Sequence, residues 1–86
     1  MEKIKEITQD QLDLFKVSKN QKKMFKEIVG LNNKAKYEVG DTAVKIDNAK
    51  PLEIYKGTWL KKDFYYMVTE IMDENLAIAF SLYPVG

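Results

Sequence analysis

Between Lys36 and Tyr37 the spacing of apolar residues changes from a helical period to a strand period. This change constrains the fold more than any other feature of the chain. Ahead of it, Met24, Phe25, Ile28 and Val29 recur at i, i+1, i+4 and i+5, which is one stripe along a helix. Behind it, Leu76, Ile78, Phe80 and Leu82 alternate with the small residues Ala77, Ala79 and Ser81, which is the period of a strand. The charge changes at the same point. Residues 1–36 hold nine Lys against five acids (+4), and residues 37–86 hold five Lys against eight acids (−3), so the overall +1 conceals a dipolar chain. The 86 residues amount to a single domain, with a basic helical part over 1–36 and an acidic β part over 37–86.

Helix ends can be read locally. Thr8 with Gln11 three residues on is a capping-box pattern, and Ile7 with Leu12 has the spacing of a hydrophobic staple. This predicts a helix from about Gln9 to Phe15. A single longer helix from Glu2 to Lys16 is an alternative, because Ile4, Ile7, Leu14 and Phe15 share one side of it. Ser18 with Gln21 repeats the cap pattern and predicts a second helix from Lys19 to Val29, stopped by Gly30. Four strand runs follow: Thr42 to Ile46, Leu52 to Tyr55 ending at Lys56-Gly57, Phe64 to Met72, and Leu76 to Leu82. Asp73-Glu74-Asn75 joins the last two as a three-residue hairpin loop.

The expected class is α+β, with one or two short N-terminal helices and then a four- to five-stranded antiparallel meander. Tyr37-Glu38-Val39-Gly40-Asp41-Thr42-Ala43-Val44 resembles the opening of small SH3-like barrels, where a Val-Gly-Asp leads into the first strand. The resemblance implies closure into such a barrel and implies no function. The expected single core comprises Leu12, Phe15, Phe25, Ile28, Val44, Ile54, Val68, Ile78 and Phe80.

The side-chain inventory removes most chemistry. The chain has no Cys, no His and no Arg, and its only serines are Ser18 and Ser81. It therefore lacks a thiolate, an imidazole base or ligand, and the guanidinium fork used for guanine and phosphate. Its glycines stand singly and form no phosphate-cradling loop. The carboxylates Asp63, Glu70, Asp73 and Glu74 are near in sequence but have turn and surface spacing. No enzyme, cofactor, metal or small-molecule substrate is expected. The charged start and the lack of a long apolar run suggest a cytoplasmic chain without membrane contact.

Two candidate binding surfaces remain. Tyr55, Trp59, Tyr65 and Tyr66, with Phe64, fall within twelve residues and could give a sheet an apolar second face for a partner protein or a second copy. Lys19, Lys22, Lys23 and Lys26 cluster on one side of the second helix and could contact phosphates. Phe15 to Gln21 resembles the turn of repressor-type helix-turn-helix motifs, although Lys16 replaces the usual Gly and Lys22 stands where a buried residue is usual. The preferred expectation is a non-enzymatic accessory protein acting by protein–protein interaction, with homo-oligomerisation favoured. Nucleic-acid binding through helix 19–29 is the alternative. Abundant Lys without Arg resembles, in style, the small accessory proteins of phages and mobile elements.

Overall fold

A computed structural model describes residues 1–86. Its elements are β1 (Glu2–Glu6), α1 (Gln9–Val17), α2 (Gln21–Val29), β2 (Tyr37–Val44), β3 (Glu53–Trp59), β4 (Lys62–Asp73) and β5 (Leu76–Pro84). The fold is α+β. All pairings are antiparallel, and the strands lie in the order β1-β3-β4-β5-β2. β3, β4 and β5 form a meander. β2 crosses past them to pair with β5. The sheet is open, because β1 and β2 are its two edges and do not meet, so the SH3-like closure is absent.

The helices start where local chemistry dictates, with one correction. The Thr8 hydroxyl accepts from the Gln11 amide at 3.1 Å, and the Thr8 amide donates to Gln11 Oε1 at 2.9 Å. This is the expected capping box, so α1 starts after Thr8, and the longer helix from Glu2 does not form. Residues 2–6 are instead an edge strand beside β3, in which Glu2 lies opposite Lys56. The cap of α2 is Asn20 rather than Ser18; Asn20 Oδ1 accepts from the Lys23 amide, and Ser18 accepts from the Asn20 amide at 3.0 Å. Gln21 reaches back to the Phe15 carbonyl at 3.1 Å, satisfying the end of α1 rather than the start of α2. Gly30 stops α2 at φ 78°, a left-handed conformation natural to glycine.

The β runs shift at their ends. β2 begins at Tyr37 and ends at Val44, leaving Ile46 in the following loop. β3 continues through Gly57 to Trp59, where a two-residue turn, Leu60-Lys61, opens β4. Gly57 makes room for Met1: a Cβ there would stand 3.1 Å from the Met1 side chain. The β4–β5 turn is Glu74-Asn75, one residue tighter than expected, since Asp73 already pairs with Leu76.

The core is divided by the sheet. On the helix side, Leu12, Phe15 and Phe25 pack on Ile54, Tyr65, Met67 and Leu82. The Phe15 ring meets Phe25 edge-on at 5.7 Å and Phe80 at 4.9 Å. On the other face, Ile46 and Ala49 of the β2–β3 loop cover Tyr55, Val68 and Ala77. That loop is tied down by the Asn48 amide on the Glu74 carbonyl and the Leu52 amide on the Val68 carbonyl. The expected single core is thus two cores. Val68 belongs to the second, and Ile28, Val44, Ile78 and Phe80 are only half-buried. The two layers of apolar side chains account for the alternation of β4 and β5, in which neither face is simply polar.

Candidate interaction surface

The four aromatic candidates part company. Strand alternation sends Tyr65 to the helix side, where it is buried beside Tyr37 with ring centroids 6.2 Å apart. Burial, then Asp63 and Tyr37 nearby, raises the Tyr65 hydroxyl above its usual range. Tyr55 is on the opposite face but is also buried, with its hydroxyl donating to Glu53 at 2.8 Å. These two are packing residues, not contact surface. Tyr66 and Trp59 remain accessible. Together with Met1, Gly57, Thr58 and Phe64 they line a shallow groove of about 430 Å³ at the β3–β4 end of the open face.

The tip of that hairpin is the most exposed apolar feature. Trp59 is 68% and Leu60 is 79% exposed. Leu60 and Lys61 adopt φ 51° and 65°, both left-handed, which is the backbone of a tight hairpin turn normally given to Asn-Gly. Each side chain held there costs about 1 kcal/mol. Thr58 donates to Asp63 across the neck of the hairpin at 2.9 Å, a side-chain tie between its two strands. Sequence reasoning missed Leu60 because Trp59-Leu60-Lys61-Lys62 contains no turn residue. A smaller exposed pair, Leu14 and Val17, lies on α1 beside Asp10 and Asp13.

Glu53 is the most embedded charge near this face. It accepts from the Lys50 amide at 2.7 Å and the Tyr55 hydroxyl at 2.8 Å, and it pairs with Lys3 at 3.1 Å. Burial opposes its charge, but these donors outweigh burial and hold the carboxyl below its usual value. The same pairing raises Lys3, chiefly through its bonds to Glu6 and Glu53. The arrangement clamps β1, β3 and the β2–β3 loop together. Its groups are mutually satisfied, which suits a structural role.

The lysine candidates do not form one free face. Lys26 is only 6% exposed, and its ammonium donates to the Asn33 carbonyl at 3.0 Å, closing the loop after α2. Lys22 pairs with Glu38 of β2 at 3.1 Å. Lys19 and Lys23 are exposed. Lys22 at the surface also removes the packing conflict that a repressor-type motif would create, since both helices use their apolar sides on the sheet. Asp63 and Asp73 accept hydrogen bonds within their own turns, and no group of three His, Cys, Asp or Glu side chains is placed to hold a metal ion. No helix is long and apolar enough to cross a membrane. No protein-family model matches the chain, and no characterised protein or solved structure is significantly similar to it.

Proposed function

We propose that this chain is a small non-enzymatic protein-binding module, and that it grips an apolar segment of a partner protein with the β3–β4 tip and the adjoining groove. The observation that carries this reading is Leu60: a large apolar side chain, almost fully exposed, on a backbone that disfavours it. Neither exposure nor strain helps folding, and a partner that buries the tip removes the exposure. Trp59 beside it supplies the rigid aromatic area that typically dominates protein interfaces. The groove floor of Phe64 and Tyr66 gives a bound side chain an apolar seat. Phosphate binding through helix 19–29 is the weaker reading, because Lys22 and Lys26 already have partners within the chain.

A pull-down from host lysate, with and without nuclease, tests this. The expected result is a protein retained after nuclease treatment, lost with Trp59→Ala and with Leu60→Asn, and unaffected by Lys19→Gln/Lys23→Gln. Retention that vanishes with nuclease, or that depends on the lysines and not on Trp59, overturns it.

A further inference from the structure

We propose that β2 is a dimerisation edge, which pairs antiparallel with β2 of a second copy of this chain about a two-fold axis at Gly40 and joins two five-stranded sheets into one. This surface is separate from the Trp59 groove, since β2 is at the far edge of the sheet from β1 and β3.

The two edges of the sheet are built differently. β1 has five residues, four of them charged, and its register slips between Lys3 and Lys5. Short length, charge and a bulge are the usual guards against edge pairing. β2 has eight residues and no bulge, and only two of its residues are charged, Glu38, which pairs with Lys22 of α2, and Asp41. It follows β5 in unbroken register from Tyr37 opposite Pro84 to Val44 opposite Ala77, and it contains neither Lys nor Pro.

The phase of its backbone can be read from the chain. The Val85 amide donates to the Lys36 carbonyl at 3.0 Å, so the even-numbered residues of β2 bond inward to β5. Pro84, with no N–H to give, accordingly stands opposite an odd residue, Tyr37. The N–H and C=O groups of Tyr37, Val39, Asp41 and Ala43 therefore point out from the edge, where no other strand lies.

A second copy fits this edge in one register. A two-fold axis must place one residue opposite itself, and outward residues must face outward residues. An axis at Asp41 sets two carboxylates opposite each other, and an axis at Val39 leaves Ala43 unpaired. With the axis at Gly40, Val39 meets the partner's Asp41 and Tyr37 meets the partner's Ala43. All the outward groups then pair, giving about eight backbone hydrogen bonds. Glu38 faces the partner's Thr42, and no acid lies directly opposite an acid. Gly40 occupies the narrow, non-bonded position on the axis, where the two backbones approach most closely.

Interfaces this small dissociate in the micromolar range, so mass is read by sedimentation equilibrium from about 5 to about 500 µM. The expected result is a rise from 10.0 kDa to twice that mass. Hydrogen exchange at the upper concentration should slow at the amides of Val39, Asp41 and Ala43 and not at those of β1. Asp41→Pro removes an outward N–H that has no partner within the chain, so it should fold normally and weaken the dimer about tenfold or more. Asp41→Asn keeps every backbone group and should leave the dimer intact or tighter. A monomer throughout the range overturns the proposal. So does a dimer in which the β2 amides exchange freely, or one that Asp41→Asn abolishes. Loss of dimerisation with Trp59→Ala alone would assign association to the hairpin tip instead, and retention of a partner protein by a strictly monomeric chain would leave the tip reading standing without this one.

Discussion

The two faces of the sheet are closed by different means. Two helices bring Phe15 and Phe25 onto one face, where both are wholly buried. The other face is covered by a loop that contributes only Ile46 and Ala49 as buried residues, and it leaves Phe64 and Tyr66 half-exposed. A chain of 86 residues has little apolar surface to spare, so closing one face with helices leaves the second to be closed with what remains. The exposed Trp59-Leu60 tip projects at the margin of that thinner cover. Stability should therefore come mainly from the helix side and recognition from the open side.

The largest expected effect tests the first half of that statement. Phe25→Ala should cost about 3–5 kcal/mol, since it removes a fully buried ring that also supports Phe15. Urea unfolding read by circular dichroism measures this. Ile46→Ala, on the loop side, should cost about 2 kcal/mol, because the site is shallow and can partly collapse. Equal losses at the two positions would erase the difference between the faces.

Acid should act on the clamp that ties β1 and the β2–β3 loop to β3. The Glu53 carboxyl is held below its usual value of 4.5 in the folded chain, so the unfolded chain takes up the proton first. Its contribution is present above that usual value and is lost as pH falls through the folded value. Glu53→Gln should lower stability at neutral pH by about 1–2 kcal/mol and flatten the acid limb of a pH–stability curve. An acid limb unchanged by the substitution would assign it to other carboxylates.

The smallest effects lie at the tip. Leu60→Asn with Lys61→Gly supplies the residues that the turn favours and should raise stability by about 0.5–1 kcal/mol. Trp59→Ala should change it by less than about 0.5 kcal/mol. A thermal melt checks both. A large loss at Trp59 would make the tip part of the fold and not a surface reserved for a partner.

Much of this was legible beforehand. The capping box at Thr8, the stop at Gly30 and the strand runs of β4 and β5 all rest on residues within a few positions of one another. The candidate surface was less legible. Tyr55, Trp59, Tyr65 and Tyr66 looked like one cluster because they are adjacent in sequence, yet only Trp59 and Tyr66 share an accessible surface. Lys26 looked like part of a solvated face, but its long stem lies along the protein and its ammonium finds the Asn33 carbonyl.

What the sequence determined by itself is the chemistry that short-range geometry controls. This covers the helix starts and stops, the alternation of side chains along each strand, the split of charge at residue 36 and the lack of Cys, His and Arg. What only the tertiary structure decided is partnership. Glu2–Glu6 became a strand because β3 offered an edge, with Glu2 brought opposite Lys56. β2 left the meander to lie on β5, so the sheet stayed open and gained an edge that no other strand pairs with. A period of two says that Tyr65 and Tyr66 face opposite ways, but not which of them the helices cover. That choice is made by apolar area contributed from Phe15 and Phe25, some forty to fifty residues away, because burial is a property of packed layers and not of any one strand.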